Sequence, residues 1–496
     1  MEFIKDSIKV LTGQTIQRTL SLVMVPVTAR LIGPSDYGIF QTALSVISIA
    51  TIVCSFSFEA SIAVAQSQTD ALHRTIGTVF IGSIFGLIFF LATYQFDQYL
   101  SQIFSTLTAM VIIYLSPIYI PLIIASLSFQ NYVSYIGKFS FIPIADISSS
   151  LGGYVLLIIS YFMVWQDYRC LIISGLGALI IRLSIFIYAM KVNYEDIQKD
   201  IFDPPAIARS LWSARNFAKY NLPSNLLNSA SVNLPTTLMA MYFPASIVGL
   251  FSMARTIIYI PTSLSGQALG QVFYPQAAQM HREGRGLKDV TWGTFVYSCQ
   301  LALFPALLIA VSAPIILPLI LGSKWIGIAP YCLLILPMVL FNAVQTQIGI
   351  GFIFSILDQQ YKIVIGNIVL FAGRFLPMLL ILFFTSSPYI VVLFHSLGGA
   401  LAYAFLLYWI FVTVSISPMK AFYVWFYHLL LSLVSVIPIM TSFFYGGFVV
   451  KIVSLMFSIL IFTAIGWHRF LTERQKSIII LDIKKIIYKT RHSVIL

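Results

Sequence analysis

The chain of 496 residues is 59% hydrophobic and only 9% charged, with a formal net charge of +12 and a mean hydropathy of +0.92. Those values exclude an ordinary water-soluble domain, in which about a quarter of residues are charged, and indicate an all-α polytopic membrane protein. The positive charge needs no nucleic-acid partner, because loop cations that orient a membrane protein and face anionic lipids account for it.

Met1 to Asp6 shows no small-residue cleavage site, so the first span is expected to stay as structure. Apolar runs then predict spans at 9–31, 37–64, 74–95, 106–129, 139–165 and 169–190. A charged stretch follows from Lys191 to Lys219, too polar for hydrocarbon, in which Asp203-Pro204-Pro205 predicts a helix start with Asp203 as cap. Further spans are expected at 213–241, 246–276, 291–320, 327–356, 362–384, 387–413, 421–445 and 449–468. This is a bundle of about 14 helices. It divides into a six-helix lobe (1–190), a linker (191–212), a second six-helix lobe (213–413), an appended pair (414–468) and a basic tail (469–496). Within the tail, Ser477 to Lys489 has the pattern of an interfacial amphipathic helix.

Placing both termini in the cytoplasm puts most loop lysines and arginines inside and leaves Arg30, Arg169, Lys324 and Lys451 outside. Four arginines, Arg18, Arg182, Arg255 and Arg374, instead fall well within spans. A buried arginine is costly and must face a partner, water or cargo; Asp146 is a plausible structural partner for Arg182. Polar side chains recur at helical spacing beside them. The stripes are Gln14, Arg18 and Ser21; Gln41, Ser45, Ser48, Ser55 and Glu59; Asn221, Asn225 and Asn228; Ser252, Arg255, Tyr259, Thr262 and Gly266; Asn342, Gln345 and Gly349; and Asn367 with Arg374. One or two such stripes would be explained by hydrogen bonding between helices. Six of them, carrying mostly cationic unpaired charge, suggest a wet central cavity. Prolines within spans, among them Pro26, Pro121, Pro143, Pro223, Pro235 and Pro261, are expected to bend the helices.

The halves also carry a repeat. Pro34-Ser35-Asp36-Tyr37-Gly38-Ile39-Phe40 recurs, one residue longer, as Pro244-Ala245-Ser246-Ile247-Val248-Gly249-Leu250-Phe251. Six spans separate the copies, so both have one orientation and an axis along the membrane normal should relate them.

The segment LIGPSDYGIF (Leu31–Phe40) closely resembles the signature of Wzx-type polysaccharide flippases, a branch of the superfamily that contains the MATE exporters. QVFYPQAAQM (Gln271–Met280) and APIILPLILGSKW (Ala313–Trp325) are similar to that family too. The resemblance implies a MATE-like two-lobe bundle. It further implies translocation of an oligosaccharide repeat unit on undecaprenyl pyrophosphate across the inner membrane, for surface polysaccharides such as O-antigen. A polysaccharide polymerase and a chain-length regulator would be its partners. Where the family often has glycine before the acidic residue of span two, this chain has Ser57 and Phe58 before Glu59.

On this reading Arg18, Arg182, Arg255 and Arg374 bind the pyrophosphate, since arginine's fork matches phosphate oxygens. Gln14, Gln41, Ser45, Ser48, Asn221, Asn225, Asn228, Ser252, Tyr259, Asn342, Gln345 and Asn367 meet sugar hydroxyls. Glu59 and Asp146 are candidates for coupling to an ion gradient. No GxxxxGK[ST] loop is present, and no cofactor or metal is expected: the four cysteines stand singly. Two alternatives stay open. A small-molecule exporter of the same fold would favour an acidic cavity, and a membrane enzyme of polysaccharide assembly would need a catalytic constellation that the scattered histidines do not offer.

Overall fold

A computed structural model describes residues 2–191 and 203–469; the predicted amphipathic tail helix lies outside the described residues. The first lobe comprises α1 (Glu2–Leu31), α2 (Pro34–Ser55), α3 (Gln68–Gln95), the short α4 (Asp97–Ile103), α5 (Thr106–Tyr135), α6 (Phe141–Met163) and α7 (Arg169–Lys191). After α8 (Pro204–Ser213) come α9 (Arg215–Tyr242), α10 (Ala245–Ile258), α11 (Ile260–Arg282) and α12 (Lys288–Leu321). They are followed by α13 (Ala329–Ile348), α14 (Ile350–Ile356), α15 (Tyr361–Leu382) and α16 (Pro388–Thr413). The appended pair is α17 (Pro418–Tyr445) and α18 (Phe448–Arg469), with α17 packed on α12.

Every expected span falls on one of these helices or on a broken pair, so a count of fourteen is compatible with the fold. Among the described residues eleven segments are by themselves long and apolar enough to cross a membrane. The stretches outside that set are α1, α9 and the α10–α11 pair, and each carries one of the polar stripes. Their polarity is tolerable because each packs on other helices, α1 chiefly on α6, α9 and α10 on α2, and α11 on α12 and α13, rather than facing hydrocarbon on all sides.

Three expected spans are interrupted. The second stops at Ser55, where Phe56 and Ser57 take left-handed conformations (φ 51° and 55°), and continues as a 3₁₀ turn from Phe58 to Val64 that carries Glu59. Residues with a Cβ adopt that region at a cost of about 1 kcal/mol each, and here buried contacts hold them: Ser57 is fully buried and its N–H donates to Ser55 Oγ at 3.1 Å. The eighth span breaks at Tyr259, since Pro261 sits in the first turn of α11 and cannot donate to the preceding turn. Pro261 therefore opens a helix instead of bending one. The tenth breaks at Gly349.

Helix α8 begins where Asp203-Pro204-Pro205 predicts, yet the Asp203 side chain makes no cap bond. Prolines fill both of the first two positions and remove a donor that a capping carboxylate would use. Helix α8 then docks on α3: the Ser210 hydroxyl donates to the Asp70 carboxylate, and Arg74 joins Asp70 at 2.8 Å, the Ser61 carbonyl at 2.8 Å and Ser213 at 3.4 Å.

The two copies of the repeat meet face to face. At Gly38 of α2 an added Cβ would collide with the Ala245 carbonyl oxygen, and at Gly249 of α10 with the Pro34 carbonyl oxygen. Each glycine thus lets its helix approach the first turn of the other, the reciprocal contact expected of an axis relating the two lobes. Around it, α2 packs along α9 and α10.

Candidate cation-lined site between the lobes

Just beyond the glycine contact, α2, α9 and α10 enclose a cavity of about 180 Å³. Gln41, Ser45 and Ser48 line it from α2, and Ser252 and Arg255 from α10. These side chains share one wall because they recur every three or four residues on their helices. Ser45 and Ser48 return their hydroxyl protons to the Gln41 and Leu44 carbonyls, at 2.8 and 2.6 Å, which leaves their oxygen lone pairs as acceptors. The buried Ser252 hydroxyl has no hydrogen-bond partner. Arg255, half-buried, donates Nη1 to the Val232 carbonyl at 2.8 Å and to Thr236 Oγ1 at 3.5 Å. Both acceptors are neutral, so its positive charge is uncompensated there. The Tyr37 hydroxyl interacts with two of the lining side chains, Thr256 and Gln41.

A second cavity, of about 310 Å³, opens within the second lobe. Asn228 of α9, Asn342 and Gln345 of α13, and Asn367 and Arg374 of α15 line it, with the Tyr403 ring from α16. Arg374 is 7% exposed. Its Nη1 donates to Ser231 Oγ at 3.0 Å, its guanidinium lies 4.8 Å from the Tyr403 ring centroid, and its Nε has no partner. Cation–π contact with Tyr403 holds the group in place without neutralising it. His395 packs behind, with Nδ1 donating to the Arg374 carbonyl at 2.9 Å. Asn367 donates Nδ2 to Ser224 Oγ at 3.0 Å, tying α15 to α9.

The two arginines are linked through Tyr259, at the α10–α11 break. Arg255 and Arg374 lie within electrostatic reach of Tyr259 and of each other. Arg18 of the first lobe reaches across to α11, donating Nη1 to the Ser263 carbonyl at 3.0 Å. Three of the four sequence arginines therefore hold only neutral oxygen acceptors among the described residues, Arg18 and Arg255 where the lobes meet and Arg374 within the second lobe.

The fourth differs. Arg182 of α7 pairs with Asp146 of α6 at 2.8 Å and donates to Gln130 Oε1 at 2.8 Å, all within the first lobe. The pairing with Asp146 considered from sequence is the one that forms. Glu59 lies away from both cavities, in the 3₁₀ turn, and its buried Oε2 has no partner. Near it Asn225 crosses between lobes, donating to Ser57 Oγ at 3.3 Å. Asn221 lies half-buried at the same end of α9 and lines neither cavity. Gln14 falls in α1, but its side chain is outside the described set.

Residues 27–330, more than half of the chain, match the family described as polysaccharide biosynthesis protein. The chain belongs to that family. It is 22% identical over 335 residues to the lipopolysaccharide biosynthesis protein WzxC of Escherichia coli (strain K12), covering 66% of this chain and 65% of that one. The succinoglycan biosynthesis transport protein ExoT of Rhizobium meliloti (strain 1021) is 24% identical over 311 residues, covering 62% and 60% respectively. The chain thus spans just under two-thirds of the length of these relatives. Its fold is similar to that of the lipid II flippase MurJ in an inward closed conformation, with a TM-score of 0.69 at 13% identity, covering 94% of this chain and all of that one. An inward-facing multidrug resistance MATE family transporter of the MOP superfamily gives 0.61 at 14% identity, over 82% and 98%. At such identities these likenesses speak to the fold, which is a MATE-like two-lobe bundle.

Family membership does not name the cavity residues, and several escaped the sequence. Asn233 and Thr236 of α9 line the first cavity, whereas Asn228 lines the second; at 3.6 residues per turn they lie about 140° and about 80° around the helix from Asn228, so the Asn221–Asn228 stripe does not lead to them. Tyr403 falls on the largely apolar α16 and Thr256 just off the Ser252–Arg255–Tyr259 face of α10, where only packing distinguishes them.

Proposed function

We propose that the protein is a flippase for an oligosaccharide repeat unit on undecaprenyl pyrophosphate, moving it from the cytoplasmic to the outer leaflet of the bacterial inner membrane for surface polysaccharide assembly. The observation that carries this reading is the set of three arginines, drawn from both lobes, whose described acceptors are all neutral oxygens. A buried guanidinium without a counter-charge is unfavourable unless an anion completes it, and a pyrophosphate does so with bidentate, charge-assisted bonds. Amides and hydroxyls in both cavities offer the donors and acceptors that sugar hydroxyls require, and the polyprenyl chain stays in lipid. A flippase forms and breaks no covalent bond, so the site needs no nucleophile or general base. The names of the relatives, a lipopolysaccharide biosynthesis protein, a polysaccharide transport protein and a lipid II flippase, agree with such a cargo.

In this reading both termini are cytoplasmic and the Pro34 end faces outward. There the lobes touch through Gly38 and Gly249, so the described state is closed toward the outside. Rocking of the lobes then exposes the cargo outside, where a polymerase and a chain-length regulator receive it. Glu59, in a buried turn where the lobes also meet, is the candidate for coupling that motion to an ion gradient. Arg182 and Asp146, being paired, serve the first lobe's packing before any cargo.

Sidedness of the lipid-linked repeat unit tests the proposal. Cells depleted of the protein are treated with a membrane-impermeant probe of the sugar. Accumulation on the cytoplasmic leaflet supports flipping; a repeat unit that still reaches the outer leaflet unpolymerised overturns it.

A further inference from the structure

Where α1 and α12 end, at the Pro34 end of the molecule, each helix is capped by the other lobe. The last carbonyls of a helix have no partner within it and carry its partial negative charge, so they attract cationic donors. Arg30, in the last turn of α1, donates Nη2 to the Leu319 carbonyl at 2.8 Å and Nε to the Ile320 carbonyl at 3.0 Å, both at the end of α12. In return, the turn after α12 sends two donors back to the end of α1. The fully buried Trp325 gives its indole Nε1–H to the Ala29 carbonyl at 2.8 Å, and Lys324 places Nζ 3.4 Å from the Leu31 carbonyl. Gly322 makes this return possible: at φ 97° it turns the chain in a conformation that a side chain would resist. The Tyr37 ring meets the Trp325 ring edge-on at 5.8 Å, and Asp36 lies within electrostatic reach of Lys324. The segment Ala313–Trp325 singled out in the sequence thus forms one half of this device, and the end of α1 with the adjoining Leu31–Phe40 forms the other.

We infer that this reciprocal capping by Arg30, Lys324 and Trp325 is the outer latch of the transporter, the set of contacts that must part for the cavity to open outward. It rests on the reading of two lobes that alternate access. Because the cations and the indole bind backbone carbonyls, the latch is made by the two helix ends themselves. Rotation of either lobe takes donor and acceptor away together, so the two directions of capping break in one step. Arg30 spans two successive carbonyls from a planar fork, which lysine cannot reproduce.

The test reads the outer access of the cavity without any cargo. In the full chain, in intact cells, Ser48→Cys places a thiol on the cavity wall; the four native cysteines are buried, and the chain without Ser48→Cys supplies the background. A membrane-impermeant maleimide is added from outside. Arg30→Gln and Trp325→Phe are each expected to raise the labelling rate about tenfold, with Arg30→Lys intermediate and Lys324→Gln the weakest. Labelling within twofold of the parent for Arg30→Gln and for Trp325→Phe, at equal membrane levels, would overturn the latch. So would loss of glycan export with labelling unchanged, which would give these residues another role. A repeat unit that crosses the membrane without this protein would defeat the flippase reading and leave the labelling result standing, so the two failures are distinguishable.

Discussion

Arg182 and the trio Arg18, Arg255 and Arg374 begin as equals in the sequence, each an isolated cation inside an apolar run. In the fold they part company. Arg182 finds Asp146 and Gln130 on neighbouring helices of its own lobe and becomes half of an ion pair. The other three find carbonyls, hydroxyls and an aromatic face, at or near the meeting of the lobes. A cation completed by a carboxylate stabilises a lobe, whereas one completed only by neutral groups retains most of its capacity for an anion. On the proposed function, this contrast separates a structural arginine from cargo-binding ones more sharply than burial does, because Arg374 is the most buried of the four.

Four measurements bear on that contrast, in falling order of expected effect. Arg182→Leu strands the Asp146 carboxylate and should lower stability by about 3 kcal/mol, followed by thermal unfolding in detergent. The double variant Arg182→Leu/Asp146→Leu should recover most of that loss. If instead Arg182→Leu unfolds normally and abolishes export, the ion pair is not structural and Arg182 joins the trio. For Arg255→Gln and Arg374→Gln the expectation is reversed: export falls about a hundredfold, equivalent to about 2.7 kcal/mol, while the unfolding temperature moves by only a few degrees. Normal export by both variants would remove the arginines from cargo binding.

Glu59 extends the comparison to the opposite charge. Its Oε2 is buried with no partner. Glu59→Gln replaces that carboxyl with a neutral amide of the same size and should leave stability to thermal unfolding in detergent unchanged or raise it by up to about 1 kcal/mol. A loss of stability larger than that would show that the carboxylate is satisfied. Smallest of all, Ser252→Ala removes a buried hydroxyl that has no partner. The variant should gain up to about 1 kcal/mol in the empty protein, yet lose a few-fold in export if that hydroxyl meets cargo.

Much of the molecule was legible before folding was considered. Span positions follow from apolar runs, and the helix start at Pro204 follows from proline's fixed φ and missing donor. Gln41, Ser45, Ser48, Ser252 and Arg255 share a cavity because a 3.6-residue period places them on facing sides of α2 and α10. Asn221 marks the limit of that reasoning, since a stripe gives a direction around a helix but not the depth at which a neighbouring helix diverges to leave space. The breaks at Phe56 and Gly349 were likewise invisible, because an apolar run reads the same whether its helix is straight or interrupted. The Asp203 cap failed for a local reason, the second proline having removed its donor.

Composition, hydropathy and the placement of cations were enough, from the sequence alone, to establish a many-span helical membrane protein with polar stripes and buried arginines, since these depend on what each residue type costs in lipid. The repeat marked the turns through which the two halves meet. Only the tertiary structure decided which arginine takes a carboxylate, that Gly38 and Gly249 carry the lobes into contact, and that Arg30 and Trp325 cap each other's helices. Those outcomes depend on distances between residues hundreds of positions apart, and a one-dimensional pattern of polarity carries no such distances.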